Sequence, residues 1–147
     1  MNPYPAASAG ASAIQTVVFV CAHGAAKSVL AGSYFNLLAA QQGIPARAIA
    51  RGTEPDAEVS ERVRLDVDAV GATLCVEQPT RLMHDDIANA DLLVAFDLDE
   101  HELGAVPQRS WNSLPPLSGD FERARAAIVA HVQELVAELK DGPERHV

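Results

Sequence analysis

Cysteine, long apolar runs and early acidic residues are all scarce in this chain of 147 residues. Its two cysteines are too few for the disulfide framework of a small secreted domain, and they suit a reducing cytosol. No apolar run approaches the roughly 18 residues of a membrane-spanning helix, so we expect no membrane partner. Residues 1–13 lack the basic and apolar regions of a signal peptide. The sequence therefore predicts a cytoplasmic protein.

Acidic residues are absent from residues 1–50, in which Lys27 and Arg47 are the only Lys or Arg. All of the 20 acidic residues follow this segment, and the chain has 11 Lys and Arg in total, for a net charge of −9. A negative field of this size repels polyanions and argues against a nucleic-acid partner. The acid-free segment has two interpretations. It consists mostly of a tail and buried elements, or an anion approaches the protein there.

Short runs of apolar and β-branched residues alternate with stretches of helical periodicity, a pattern typical of a parallel α/β sandwich. The expected strands are residues 16–20, 47–51, 72–76 and 91–96. One expected helix follows the first strand, and others cover residues 55–70, 84–90 and 99–104. A long last helix is predicted from an N-cap at Ser118 to about Lys140.

The length of the chain favours a single domain, which we place at residues 15–141. Residues 1–14 are rich in Ala, Ser, Pro and Gly and predict a flexible arm, and residues 142–147 form a C-terminal tail. The predicted architecture is a three-layer α/β sandwich around a four-stranded parallel sheet.

The most informative segment is the loop between the first strand and the first helix, from Cys21 to Ser28. Its small residues let successive backbone N–H groups curl around an anion, and the helix N-terminus points at the same place. Lys27 adds a positive charge, and the Ser28 hydroxyl can turn toward the Cys21 sulfur. We therefore expect Cys21 to be a nucleophile, with Lys27 and Ser28 as further catalytic residues. The residues expected to bind the substrate oxyanion are Ala22, His23, Gly24, Ala25 and Ala26.

Purely structural interpretations compete with these. A cysteine at a strand end can be a small buried apolar residue, and a Gly/Ala loop can be a simple tight turn. His23 either acts on the thiolate or faces solvent. Cys75 is expected in the core rather than as a redox partner of Cys21. The other histidines are scattered, so the sequence predicts no metal site and no cofactor.

At this point the chain resembles the low-molecular-weight protein tyrosine phosphatase superfamily, which also contains the thioredoxin-coupled arsenate reductases. The resemblance begins with residues 17–21 and the pattern Cys-x5-basic-Ser. It continues through Arg51-Gly52-Thr53, residues 90–97, and Trp111 with the Pro115-Pro116 loop and residues 120–122. The pattern runs from Thr16 to about Leu139 and implies a phosphotyrosine protein phosphatase I-like fold.

The chain departs from the family pattern at three places. Lys27 stands where the family has an arginine that grips two phosphate oxygens. Gly24 stands where the family has an asparagine that orders the loop. The stretch 113–117 lacks the aspartate before proline that serves the family as general acid. Asp120 is the nearest candidate acid, although its position predicts a carboxylate in the first turn of the last helix.

The resemblance implies a Cys-dependent phosphatase that acts on phosphomonoesters, phosphotyrosine among them, through a thiol-phosphate intermediate. Its partners would be phosphate or another oxyanion, and a phosphoprotein substrate is one candidate. Three alternatives stay open. They are an arsenate reductase that uses an external thiol, a degenerate phosphate- or phosphoprotein-binding module with little turnover, and a phosphocysteine carrier like the sugar-phosphotransferase IIB subunits. The intact Cys21 and Ser28 argue against a pure binding module.

Overall fold

A computed structural model describes residues 14–141 of the chain. The arm predicted at 1–14 therefore lies almost wholly outside the described residues, as does the tail at 142–147. The strands are β1 (Gln15–Cys21), β2 (Ala46–Gly52), β3 (Leu92–Ala95) and β4 (Arg109–Ser110). The helices are α1 (Lys27–Gln41), α2 (Glu61–Ala69), α3 (His84–Asn89), α4 (Glu100–Leu103) and α5 (Phe121–Asp141). None of these helices is long and apolar enough to cross a membrane.

The four strands form one parallel sheet in the order β2-β1-β3-β4. The first strand is central, because it pairs with β2 on one side and with β3 on the other. Val18, for example, lies beside Ile49 of β2 and Leu93 of β3. The predicted α/β fold with a four-stranded parallel sheet is confirmed.

Both faces of the sheet are covered, which explains why residues 17–21 of β1 are all apolar and buried. Val17 and Phe19 face a core that also contains residues of α1, α2 and α5. Val18 and Val20 face a smaller cluster that includes Leu103 of α4. The three layers place the carboxyl end of β1 next to the loop that precedes α1, which is where a parallel α/β sheet binds its ligands.

One predicted strand was wrong. Residues 72–76 form no strand, and the fourth strand is instead the two-residue β4, next to β3. The backbone of this segment bonds to helices instead. The Ala72 N–H donates to the Val67 carbonyl at 3.0 Å, and the Cys75 N–H donates to the Ser33 hydroxyl at 3.0 Å. An apolar, β-branched run therefore packs against α1 as irregular chain.

Two predicted helix starts were also wrong. The helix predicted over 55–70 begins only at Glu61, where the Ser60 hydroxyl accepts a hydrogen bond from the Val63 N–H. The Ser60 N–H donates to the Ala25 carbonyl at 2.9 Å instead of to the Asp56 carbonyl four residues earlier, so the helix does not extend back through this residue. The last helix begins at Phe121 rather than after Ser118, since the Asp120 carboxylate accepts from the Arg123 N–H at 3.2 Å. The short helices predicted at 84–90 and 99–104 are confirmed as α3 and α4.

Candidate active site

The site is built around Cys21, the last residue of β1, whose side chain is buried. Ser28 lies in the first turn of α1 and is completely buried. The Cys21 Sγ and the Ser28 Oγ are 3.1 Å apart and hydrogen-bonded. A hydroxyl held at this distance can donate its hydrogen to a sulfur that carries negative charge. The pair is therefore suited to stabilising a thiolate, both as nucleophile and as leaving group.

The loop between β1 and α1 is held by its carbonyl groups. The carbonyls of Ala22, His23 and Ala25 accept hydrogen bonds of 2.7, 3.0 and 2.9 Å from the N–H groups of residues 54, 56 and 60. Within residues 14–141, the N–H groups of residues 22–26 donate to no backbone carbonyl. The carbonyl and the next N–H of a peptide unit point in opposite directions. The hydrogen bonds from segment 54–60 fix these carbonyls on one side of the loop. The N–H groups that follow them therefore point to the other side, where they can donate hydrogen bonds to an anion.

Gly24 is required by the close approach of two backbones. It has a φ of +60°, and a Cβ at this position would lie 2.9 Å from the Gly52 nitrogen. A Cβ on Gly52 would in turn lie 2.7 Å from the Gly24 nitrogen. The backbones of the two glycines are therefore in direct contact. The asparagine that the family has at position 24 would not fit this packing. The hydrogen bonds from residues 54–60 order the loop instead.

The N-terminus of α1 has no acceptor of its own. The residue before the helix is Ala26, which makes no side-chain capping bond, and the first turn contains no acidic residue. The unbonded N–H groups and the positive end of the helix dipole are thus left available to a bound anion.

The ammonium group of Lys27 has a carboxylate partner, Asp97. Its Nζ lies 3.4 Å from an Asp97 carboxylate oxygen, with the Lys27 side chain 19% and the Asp97 side chain 47% exposed. Asp97 follows β3 with a φ of +56°, which an aspartate tolerates better than most residues. Its other carboxylate oxygen accepts from the Ser113 N–H at 2.9 Å, and its own N–H donates to Asn112 Oδ1 at 2.8 Å. Lys27 is therefore paired with a carboxylate, Asp97, whose position is fixed by hydrogen bonds to residues 112 and 113.

These groups open into a cavity of about 650 Å³. Its lining includes Cys21, five other residues of the loop and first turn, Phe96 and Asp97. The remaining lining residues come from the segment before α2 and its first turn (Asp56, Glu58, Ser60 and Arg62) and from the loop before α5 (Pro116, Leu117 and Ser118). His23 lies on the rim, where its Nδ1 is 3.3 Å from the Asp56 carboxylate and its side chain is 63% exposed.

Two other sequence candidates lie away from this cavity. Asp120 caps α5 and is not among the residues that line the cavity. Cys75 packs against α1, with its Sγ 3.6 Å from the Val29 carbonyl. Burial raises the pKa of the Cys75 thiol to about 11. Residues 14–141 contain no group of three or more His, Cys, Asp or Glu side chains placed to hold a metal ion.

Sequence reasoning missed Asp97 and the segment 54–60. Asp97 directly follows a strand that neighbours β1, and the carboxyl ends of adjacent parallel strands meet at one edge, so its position is the signal that could have identified it. The segment 54–60 carries no signal of this kind, since it acts through backbone N–H groups that every residue except proline possesses.

The family model described as "Low molecular weight phosphotyrosine protein phosphatase" matches residues 16–113. No match to a curated protein sequence was found. Among solved structures, YfkJ from Bacillus subtilis superposes with a TM-score of 0.77 at 17% identity, covering 89% of this chain and 98% of that one.

Two further structures extend the comparison. A low molecular weight phosphotyrosine phosphatase of Vibrio cholerae O395 has a TM-score of 0.74 at 14% identity, over 88% of this chain and 99% of that one. An arsenate reductase from Archaeoglobus fulgidus has a TM-score of 0.61 at 26% identity, over 85% and 98%. The family match covers most of the described chain and includes the whole loop around Cys21. The chain belongs to the low molecular weight phosphotyrosine protein phosphatase family.

Proposed function

We propose that this protein is a phosphatase that hydrolyses aryl phosphomonoesters, such as phosphotyrosine, with Cys21 as its nucleophile. The observation that carries the proposal is the Cys21–Ser28 pair at 3.1 Å, at the base of a loop whose carbonyls are fixed outward. A binding module has no need of a buried hydroxyl beside a sulfur. The pair supports covalent catalysis.

In the first step the Cys21 thiolate attacks phosphorus, an S–P bond forms, and the bond to the ester oxygen breaks. The leaving group departs as an oxide. Negative charge on the three non-bridging oxygens is met by the loop N–H groups, by the N-terminus of α1 and by Lys27. In the second step water attacks phosphorus, the S–P bond breaks, and phosphate leaves. Ser28 then donates its hydrogen bond to the released thiolate.

The cavity contains three carboxylates, and none lies at the family position for a general acid. Asp97 is occupied by Lys27 and by the Ser113 N–H, and Asp56 faces His23. Glu58 makes no ion pair within residues 14–141, but it lies in the segment before α2 and not in the loop before the last helix, where the family has its acid. A leaving group that needs little protonation should therefore react much faster than one that needs a proton in the transition state. Aryl oxides are of the first kind and alkoxides of the second.

Phenyl phosphate and benzyl phosphate test this proposal, because they are similar in size and differ in the leaving group. We expect phenyl phosphate to be hydrolysed at least about 10²-fold faster. Cys21→Ser should abolish turnover, and Cys75→Ala should retain it. Hydrolysis by Cys21→Ser would refute the proposed nucleophile. Equal rates for the two esters would refute the absence of a general acid. Phosphate binding without any turnover would identify the degenerate binding module.

Arsenate reduction is the second candidate, supported by the 26% identity to the arsenate reductase of A. fulgidus. The Cys21 thiolate would form an S–As bond with arsenate while an As–O bond breaks and hydroxide leaves. An external thiol would then attack the Cys21 sulfur, forming an S–S bond as the S–As bond breaks. Arsenite would leave with the electron pair, and a second thiol would reduce the mixed disulfide. Cys75 is poorly placed for this attack, since its thiol is packed against α1. Arsenite release in the presence of a small-molecule thiol, lost in Cys21→Ser and kept in Cys75→Ala, would favour this candidate.

A further inference from the structure

The wall of the cavity formed by the segment between β2 and α2 is strongly acidic. This segment and the first residue of α2 contain four acidic residues and no Lys or Arg before Arg62; the acidic residues are Glu54, Asp56, Glu58 and Glu61. Two of them, Asp56 and Glu58, line the cavity together with Cys21, and both are exposed. A substrate that fills the cavity around Cys21 therefore also contacts the segment that carries these carboxylates.

The cations of the cavity already have partners. Lys27 lies against Asp97. The guanidinium of Arg62 sits 4.4 Å from the centre of the Phe121 ring. Of the acidic residues, Asp56 lies 3.3 Å from the His23 Nδ1. Glu58, in contrast, makes no ion pair within residues 14–141. Its negative charge is therefore not neutralised and acts on a substrate that binds in the cavity.

The rest of the cavity offers no compensating charge. The lining residues Pro116, Leu117 and Ser118 of the loop before α5 are uncharged, and so is the buried Phe96. The lining thus holds three carboxylates, Asp56, Glu58 and Asp97, against the two cations Lys27 and Arg62. This local excess of negative charge adds to the chain's net charge of −9. A phosphate dianion enters the cavity against this field unless the substrate brings positive charge of its own.

From this charge distribution we infer that the site selects phosphate esters that carry a cationic group near the phosphoryl group. This inference rests on the proposed function, because it names the substrate class of the same site. The phosphoryl group binds to the loop, the body of the substrate lies against Pro116 and Leu117, and its cation faces Asp56 and Glu58. Substrates with a carboxylate at that place are rejected by like-charge repulsion.

Two small aryl phosphates provide matched probes. O-phosphotyramine carries an ammonium group, and 3-(4-phosphonooxyphenyl)propanoate carries a carboxylate at a similar distance from a similar leaving group. Binding is measured as the concentration of each that halves the rate of Cys21 alkylation by iodoacetamide, a readout that needs no turnover. Hydrolysis of neutral phenyl phosphate is measured in parallel and reports on the proposed function alone.

We expect the cationic probe to protect at an about threefold to tenfold lower concentration in low salt, and the preference to shrink in 1 M salt. Glu58→Gln should reduce the preference by about twofold. Glu134→Gln, which removes an exposed acid of α5 outside the cavity, should leave it unchanged. This preference in the absence of phenyl phosphate hydrolysis would support the inferred selectivity and refute the proposed function. Equal protection by the two probes, no protection by either, or a preference that Glu58→Gln leaves intact would overturn the inference.

Discussion

Lys27 presents an oxyanion with one mobile ammonium group, whereas an arginine would present a planar fork. The structure adds that this ammonium is held by Asp97 at 3.4 Å. The contact is long for a charge-assisted hydrogen bond and the carboxylate is half exposed, so the pair is weak. Under the proposed function, a phosphate dianion competes with Asp97 for the same cation. At the scale of single residues, we expect the phosphate affinity to depend on this competition.

Asp97→Asn is expected to tighten the binding of inorganic phosphate by about threefold, because it removes the competing charge. Asparagine keeps an oxygen that can accept the Ser113 N–H, and it tolerates the positive φ. Isothermal titration calorimetry measures the change. Asp85→Asn is the matched control, since it removes an equal charge from an exposed position outside the cavity. Weaker phosphate binding in Asp97→Asn would mean that Asp97 positions Lys27 rather than competing for it.

Lys27→Ala is expected to weaken phosphate binding by at least about tenfold, since no other cation of the cavity lies in the loop. The same calorimetric titration applies. Phosphate affinity equal to that of the parent protein would show that Lys27 is only a surface charge.

The two thiols should differ in their reactivity toward iodoacetamide. Burial raises the pKa of Cys75 to about 11, so near pH 8 only about one molecule in a thousand carries this thiolate. Cys21 opens into the cavity beside Ser28 and a helix N-terminus. Mass spectrometry of peptides after brief labelling should find Cys21 modified first, and inorganic phosphate should slow its modification. Preferential labelling of Cys75 would contradict this assignment.

At the scale of elements, α1 is shaped by the irregular segment that replaces the predicted third strand. Gly32 lies inside this helix, where glycine is unfavourable by about 1 kcal/mol relative to alanine. A Cβ at Gly32 would lie 2.6 Å from the Cys75 Sγ. The Ser33 hydroxyl, one residue on, accepts the Cys75 N–H and donates to the Val29 carbonyl. The helix therefore gives up a residue of higher propensity so that segment 72–76 can pack against it.

Gly32→Ala is expected to lower the free energy of unfolding by about 1–3 kcal/mol, because overpacking outweighs the gain in helix propensity. In a Cys75→Ala background the nearest remaining contacts of the new Cβ are 3.4 Å or longer, so the substitution should be neutral or stabilising there. Urea denaturation of the four proteins gives this double-mutant cycle. Additive effects would show that the sulfur is not the obstacle.

At the scale of the whole molecule, one polar network joins three helices. The Tyr34 hydroxyl of α1 donates to an Asp66 carboxylate oxygen of α2 at 2.9 Å. The other oxygen of Asp66 lies 2.7 Å from the Arg125 guanidinium of α5. Burial, together with the hydrogen bond and charge of Asp66, raises the pKa of Tyr34 to about 12. The network thus ties the stability of the helical layer to the protonation of one phenol.

We expect stability to fall as the pH rises from about 10 to about 12. Over this range the unfolded chain releases the Tyr34 proton while the folded chain keeps it, so the unfolded state binds fewer protons and rising pH favours it. The loss should amount to about 1–3 kcal/mol. Urea denaturation against pH measures it, and Tyr34→Phe should remove this part of the decline. The comparison is made in a Cys75→Ala background, because the raised pKa of Cys75 acts in the same direction between about 9 and 11. An unchanged decline in Tyr34→Phe would refute this role.

Much of the structure could be predicted from the sequence, because it depends on residues that are close together along the chain. The run 16–20, the cysteine that ends it and the small loop before α1 are contiguous, so their hydrophobicity and turn chemistry predict their structure without knowledge of distant residues. The place of Ser28 in the first turn of that helix follows from the same local pattern. The long amphipathic α5 was predicted for similar reasons, apart from its first residues.

Only the tertiary structure decided features that depend on partners far along the chain. Residues 72–76 have the composition of a strand, but hydrogen bonds to Val67 and Ser33 hold them against helices, and two residues near position 110 complete the sheet. The late start of α2 and the fixed positions of the loop carbonyls both depend on the hydrogen bonds from residues 54–60 to residues 22–25. The Lys27–Asp97 pair joins residues 70 positions apart. Backbone groups are alike at every position, and charges are common throughout this chain. Which of these groups pair is therefore determined by the segments that the folded sheet and helices bring together. The local sequence does not predict this pairing.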